Sequence, residues 1–379
     1  VVRSISRALA GYARAVASPW AKSGVSAAVA AIFVSLSACT ADPAQRGCEC
    51  GQDDIEEAPG PSPAPERASR PERARGPGTA PTPTPEAASG PRLRILGIAQ
   101  DGGLPHVACS CERCEAARRE PERRGSPVAS VAVFAPGGPV WIVDATPDLP
   151  AQLDMLADVR EGPPGRVDRT PVSGILLTHA HMGHYLGLAH LGFEAASTEA
   201  TPVHASAKMV DFLAANAPWD QLVRLRNIEP RVAELGVVIE LGGGLKAEPL
   251  VVPHRGEYTD TLGWYLSGPR RRALYIPDTD PWAKWQTDLD TALAGVDLLL
   301  VDGTFYSGEE LPGRDLDAIG HPLMTDTMER FAERVAGGLK LWFIHLNHSN
   351  PTLDPAASER RELEARGFEI AAVGREFPL

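Results

Sequence analysis

Three histidines fall within six residues in Leu177-Thr178-His179-Ala180-His181-Met182-Gly183-His184, directly after the apolar run Gly174-Ile175-Leu176-Leu177. A short apolar run of this kind reads as a buried strand. A strand that ends in a histidine-rich turn brings several imidazoles to one edge of a sheet, where they can converge on a metal. A chain carrying this segment is thus constrained to a sheet-containing fold with a donor-rich edge.

The rest of the 379 residues is uneven. Residues 1–39 read as an export signal: arginines and Lys22 precede an apolar stretch from Gly24 to Ala38. That stretch, about 15 residues, is short for a membrane span of roughly 20. It closes in Leu36-Ser37-Ala38-Cys39, which resembles a bacterial lipobox with Cys39 as the lipidated residue. The alternative is an ordinary signal peptide with a chance cysteine. The expectation is a lipoprotein, exported to the cell envelope and anchored to the membrane through Cys39. Residues 40–91 read as a tether in which runs such as Pro61-Ser62-Pro63-Ala64-Pro65 and Pro81-Thr82-Pro83-Thr84-Pro85 offer nothing for a core. Cys48 and Cys50 lie there and receive no role. Residues 92–379 are then one domain, long enough for a substantial core. A formal charge of −12 argues against nucleic acid as a partner and leaves a small-molecule substrate as the expectation.

Within 92–379, apolar runs predict strands at Leu93–Ile98, Val128–Phe134, Val140–Val143, Gly174–Thr178, Leu245–Val252, Leu262–Leu266, Ala273–Ile276, Leu298–Val301 and Leu339–Ile344. Helical patterning falls at Leu149–Asp158, Ser206–Asn216, Leu289–Leu293, Asp326–Val335 and Ala356–Ala365. Interleaved strands and helices indicate α/β or α+β rather than a helical bundle.

The histidine segment resembles the HxHxDH signature of the metallo-β-lactamase superfamily, with Gly183 where the aspartate belongs. The resemblance implies two mixed sheets packed face to face with helices outside, an αββα sandwich whose metal site lies at one edge. Further ligands are then expected at later strand ends. Leu250-Val251-Val252-Pro253-His254, Leu274-Tyr275-Ile276-Pro277-Asp278 and Leu341-Trp342-Phe343-Ile344-His345 supply them in the superfamily's order. By that resemblance one metal is held by His179, His181 and His254, a second by His184 and His345, and Asp278 bridges them. Imidazoles with a carboxylate suit zinc, iron or manganese, and open positions let a bound water ionise near neutral pH.

Gly183 removes the carboxylate that ligates the second metal in the superfamily. One metal, two metals with a substitute ligand, or a site without hydrolytic function all stay open, with a catalytic site favoured. Glu257, Asp260, Asp280 and Asp302 are the carboxylates near enough in sequence to substitute. A rise in metal content and in esterase or phosphodiesterase turnover on Gly183→Asp would show that the glycine weakens the second site.

Cys109-Ser110-Cys111-Glu112-Arg113-Cys114 forms a CxCxxC cluster, and three thiolates at this spacing can chelate a structural zinc if a fourth ligand closes it. His348 is the expected fourth ligand, ahead of His106; a disulfide is the alternative in an oxidising compartment. This arrangement resembles two superfamily branches, the cyclic ribosyl-phosphate phosphodiesterases and coenzyme PQQ synthesis protein B. The latter extends over most of 93–379, through Leu300-Val301-Asp302-Gly303-Thr304, Ile319-Gly320-His321-Pro322-Leu323 and Ile344–Pro351. That family lacks the first two histidines of the motif and keeps the later Asp-His, the reverse of this chain. The resemblance makes His321 a candidate for substrate contact beside Asp278; a surface loop histidine is the alternative. His190 is expected to be packed or solvated, and His204 to be a strand residue without a partner.

The expected function is a metal-dependent hydrolase that uses an activated water on a phosphodiester or other ester or amide. The alternatives are a metal-dependent oxidoreductase in PQQ or related redox-cofactor metabolism, and a non-catalytic lipoprotein that captures a small molecule.

Overall fold

The computed structural model describes residues 90–315 and 319–379. The export-type segment with Cys39, and the part of the tether holding Cys48 and Cys50, lie outside the described residues. In chain order the strands are β1 Arg92–Gly97, β2 Ser130–Phe134, β3 Val140–Val143, β4 Gly174–Leu176, β5 Thr201–Ala205, β6 Ile228–Val232 and β7 Ile239–Gly242. They continue as β8 Leu245–Val252, β9 Thr261–Ser267, β10 Arg272–Ile276, β11 Leu298–Asp302, β12 Lys340–Ile344, β13 Glu369–Ile370 and β14 Glu376–Pro378.

Two sheets of seven strands result, ordered β14-β1-β2-β3-β4-β5-β6 and β13-β12-β11-β10-β9-β8-β7. Each changes character part-way. In the first, β14, β1, β2 and β3 pair antiparallel, and β3 to β6 pair parallel. In the second, β7 to β10 are antiparallel and β10 to β13 parallel. Parallel neighbours need crossovers, which place helices on the outer face. The tight connection between β7 and β8 runs through Gly242, Gly243 and Gly244, all at positive φ, where a side chain would be strained.

Alternation along the strands divides the core into layers. In β10, Ala273 and Tyr275 face the opposing sheet with Leu93, Val131, Val143, Trp264 and Leu300. Leu274 and Ile276 point the other way, onto Phe331, Met324 and Met328 of the helix Met324–Ala336. The first sheet's outer face packs Ile142, Ile175 and Val203 against the helices Ala207–Ala215 and Trp219–Arg224. Strands β3, β4 and β11 are buried at every position, which is why they read as continuous apolar runs. The architecture is the expected αββα sandwich. The expected strand runs all carry strands, with ends that coincide or shift by one or two residues.

Polarity matters more than layering for the site. β1 and β3 run parallel to each other across β2, as do β8 and β10 across β9. The C-terminal ends of β1, β3 and β4 therefore share one edge of their sheet, and those of β8, β10, β11 and β12 share one edge of theirs.

Candidate metal centre

Seven strand ends meet at this edge. Asp101 follows β1, Asp144 follows β3, and His179, His181 and His184 follow β4. His254 follows β8, Asp278 follows β10, Asp302 ends β11 and His345 follows β12. The donor atoms of His179, His181, His254 and Asp278 lie within 4.8 Å of one another, and so do those of Asp101, His184 and His345. Asp278 joins the groups. Its Oδ2 is 3.1 Å from His254 Nε2, 3.4 Å from His179 Nε2, 3.7 Å from His181 Nδ1 and 3.9 Å from His184 Nε2.

The fit to metal can be judged from atoms left over. His179 Nε2, His184 Nε2, His345 Nε2, Asp101 Oδ1 and Asp278 Oδ1 are buried, and none has a hydrogen-bond partner. Buried polar atoms are rarely left so, and five at one point indicate a missing partner that all can bind. Charge points the same way. The ion pairs of Asp101, Asp144 and Asp278 run only to histidines, with no lysine or arginine among them. Burial would raise the Asp278 carboxyl, yet His321, His254 and His345 hold it well below the ordinary carboxylate range. Burial, with the neighbouring His184, pushes His179 well below an ordinary histidine, so its ring stays neutral and able to ligate.

A model of the beta-lactamase superfamily domain matches residues 141–346, from β3 to the residue after His345. The chain belongs to the beta-lactamase superfamily. Coenzyme PQQ synthesis protein B of Ruegeria pomeroyi is 30% identical over 315 residues, 76% of this chain and 100% of that protein. The protein of that name from Rhodopseudomonas palustris is 29% identical over 322 residues, 76% of this chain and 99% of that protein. Among solved structures, Zn(2+)-bound PqqB from Methylobacterium extorquens superposes with a TM-score of 0.64 at 24% identity, covering 76% of this chain and 100% of that one. A diphosphatase from the PhnP family gives 0.54 at 23% identity, covering 76% and 97%.

In this superfamily chain, the neighbours of the donors fix their orientation. Asp144 Oδ2 lies 2.7 Å from His184 Nδ1, which turns Nε2 inward. The other Asp144 oxygen accepts from Thr178 N at 2.8 Å and Thr178 Oγ1 at 2.9 Å. Thr178 Oγ1 is also 2.9 Å from His179 Nδ1, and Thr304 Oγ1 is 3.1 Å from His345 Nδ1. Carboxylates and hydroxyls behind ligating imidazoles set their tautomer and basicity. Asp144 and His345 both sit at positive φ (67° and 64°), an unfavourable backbone for such residues that the surrounding packing sustains.

Of the four carboxylates expected to stand in at the second position, Glu257, Asp260 and Asp280 do not, and Asp302 lies in a donor group with Asp278, His321 and His345 but in none with His184. Glu257 contacts the outer nitrogen of His181 at 2.9 Å, and Asp280 Oδ1 lies 3.7 Å from His254 Nδ1, behind that ring. Asp302 accepts from Thr279 N, Thr304 N and Thr304 Oγ1, and Asp260 belongs to no donor cluster. The carboxylate in place is Asp101. Position 183 has no room for a side chain beside Asp101: a Cβ on Gly183 would stand 2.1 Å from Asp101 Oδ1 and 2.9 Å from Asp101 Cα.

His321 is not a surface residue. Its Nδ1 is 2.9 Å from Asp302 Oδ2 and 3.1 Å from Asp278 Oδ1, beside the donors. His190 is exposed, and His204 is buried in β5 with Nδ1 unpartnered.

The cysteine cluster lies behind the centre. Cys109, Cys111 and Cys114 are free thiols rather than a disulfide, and His348 Nδ1 is 3.7 Å from each sulfur. Zinc–sulfur and zinc–nitrogen bonds at tetrahedral angles give about 3.6 Å for that separation. His348 closes the set. His106 instead stacks on His348 at 4.5 Å and directs Nδ1 to its neighbour's carbonyl.

Sequence reasoning missed Asp101 and Asp144. Asp144 carried a readable signal, since Val140-Trp141-Ile142-Val143-Asp144 is one more apolar run ending in a donor.

Proposed function

We propose that this chain is a metal-dependent hydrolase whose substrate is a small phosphodiester or related phosphoester. The observation that carries the reading is the set of converging donor atoms at one edge, four imidazoles around Asp278 with a second carboxylate beside His184 and His345, five of the atoms there being buried without a partner. His179, His181, His254 and Asp278 would hold one divalent ion; His184, His345 and Asp101 would hold another, with Asp278 between. Such ions supply Lewis acidity and a water ionised near neutral pH. Zinc suits these donors, and iron or manganese are the other metals they accommodate.

The charge of the site selects the substrate. Asp101, Asp144, Asp278 and Asp302 place four negative charges around it. One divalent ion would leave the centre anionic and repel a phosphoester, whereas two bring it to neutrality. Asp278 orients the inner nitrogens. Asp144 and Thr178 hold His184 and His179, and Thr304 holds His345. His321, with Asp302 behind it, is placed to bind an anionic substrate oxygen or give a proton to the leaving oxygen. The diphosphatase of the PhnP family shares the fold and supports a phosphorus-centred substrate. The zinc named for the Methylobacterium extorquens protein supports the metal.

The test is metal analysis of protein purified without added metal, with hydrolysis of bis(p-nitrophenyl) phosphate measured alongside. The native chain is expected to hold about three ions, one on the cysteines and two at the histidines. His179→Ala with His254→Ala should lose histidine-bound metal and at least about 100-fold in turnover. Unchanged stoichiometry in that double variant would sink the reading. A second reading, an enzyme of PQQ or related redox-cofactor metabolism, draws on the name of the relatives that match 76% of the chain, coenzyme PQQ synthesis protein B; an oxidoreductase is one form of it. Bound iron and consumption of dioxygen with a PQQ-related substrate would select it.

We also propose that the domain acts outside the cytoplasm, tethered through lipidated Cys39. Membrane-fraction protein that turns soluble on Cys39→Ser is the expected result; an unchanged distribution would overturn it.

A further inference from the structure

We propose that Asp101 is the carboxylate ligand of the second metal, carried in from the end of β1, and that position 183 is glycine in order to admit it. The inference rests on the histidine centre being a metal site and goes beyond it, because it assigns a ligand from outside the signature segment.

Three observations support the exchange. First, Asp101 Oδ1 lies 3.4 Å from His184 Nε2 and 3.5 Å from His345 Nε2. These are the spacings of donors around one ion with bonds of about 2.0–2.2 Å. All three atoms are buried and unpartnered, although the Asp101 side chain as a whole is 36% exposed. The carboxylate thus presents one oxygen inward.

Second, the space Asp101 occupies is the space a residue at 183 would need. A Cβ there would meet Asp101 Oδ1 at 2.1 Å, Cγ at 2.8 Å and Cα at 2.9 Å. The last contact is with backbone, so rotating the Asp101 side chain cannot relieve it. Gly183 is not at positive φ, so glycine is required here by crowding and not by conformation.

Third, the loop that carries Asp101 is fixed against the strand that carries His345. Gln100 N donates to Leu346 O at 2.9 Å, Leu346 N donates to Ile98 O at 2.8 Å, and Asn347 Nδ2 donates to Gln100 Oε1 at 2.5 Å. The turn is closed by Gly103 N to Gln100 O at 2.7 Å, with Gly103 at φ 71°. A ligand on a loop anchored to a second ligand's strand is held in place before metal arrives. The donor set of the second position is then intact, two imidazoles with one terminal and one shared carboxylate. Only the origin of the terminal carboxylate differs from the signature.

The experiment compares the native chain with Asp101→Gly, Gly183→Asp and the two together. Metal per chain is measured after dialysis, second-site affinity by chelator competition, and folding by thermal melts. Asp101→Gly is expected to lose one ion, with second-site affinity down at least about 100-fold, while one histidine-centre ion and the cysteine-bound ion remain. Gly183→Asp alone should lose the same ion, because two carboxylates compete for one space. The double variant removes the contacts with Oδ1 and Cγ and leaves the one with the Cα of residue 101, which a shift of a few tenths of an ångström relieves, so it should regain the ion to within about tenfold of native affinity, a coupling that independent sites would not show. Asp101→Asn keeps the shape and should still weaken the second ion, which covers the case of a variant that does not fold. Asp101→Gly that keeps both ions at native affinity, or Gly183→Asp that gains metal with Asp101 in place, overturns the exchange and leaves the hydrolase reading standing. A native chain with no histidine-bound metal overturns both.

Discussion

Asp278→Ala is expected to strip both ions from the histidine centre and to lower phosphodiester turnover at least about 1000-fold, while one zinc per chain stays on the cysteines. Among the described residues, Asp278 is the carboxylate that lies within 4 Å of nitrogens of His179, His181, His254 and His184 alike. Asp278 Oδ2 lies between 3.1 and 3.9 Å from nitrogens of His254, His179, His181 and His184. Losing a terminal ligand weakens one ion; losing the shared carboxylate removes a bond from each and the charge that lets two cations sit side by side. The side chain is 2% exposed in the middle of the cluster, so water would enter the gap only if the imidazoles turned. Elemental analysis with far-UV circular dichroism separates metal loss from unfolding. A folded variant that keeps three ions would show that Asp278 bridges nothing.

The second large effect is expected at the cysteine cluster. Cys114→Ala should abolish cysteine-bound zinc and lower the melting temperature by roughly 10 °C, the equivalent of about 4 kcal/mol in a domain of this size. Cys114 is fully buried in a small cluster with Ala99, Leu104 and Ala117, which adjoins the second sheet's outer core through Leu353. That cluster contributes little apolar area, so the ion carries much of the order in residues 98–114. Arg113 adds part-buried hydrogen bonds to the carbonyls of His348 and Asn350, but the net contribution of such bonds is modest. A calorimetric scan of native and substituted protein checks the shift, and an unchanged melt with zinc absent would show that the loop is held by its backbone alone.

Where the sequence was informative, it was so for a local reason. His179, Asp278 and His345 each follow an apolar run whose burial is visible as nearly unbroken hydrophobicity, whereas the strand before His254 alternates and leaves Val251 exposed. The polar residue after such a run is at the sheet edge by necessity. Asp101 gave no such signal. It stands four residues beyond the end of β1, and Asp101-Gly102-Gly103 reads as a turn. Its place depends on Gln100 pairing with Leu346, a contact between residues far apart in the chain that no window of sequence displays. Strands β6 and β7 were missed because they lie at the far ends of the two sheets and are only partly buried, leaving irregular patterns in place of alternation.

The convergence of seven strand ends has a mechanical meaning. Three of those strands belong to one sheet and four to the other, so ions bound among them would rivet the two halves of the sandwich along one seam. The free energy of metal binding is added to the cohesion of the sheets, about 4 kcal/mol when free metal is near a thousand times its dissociation constant. Scarcity of metal in the surroundings would loosen the protein at the place where it binds substrate, and leave the opposite edge untouched.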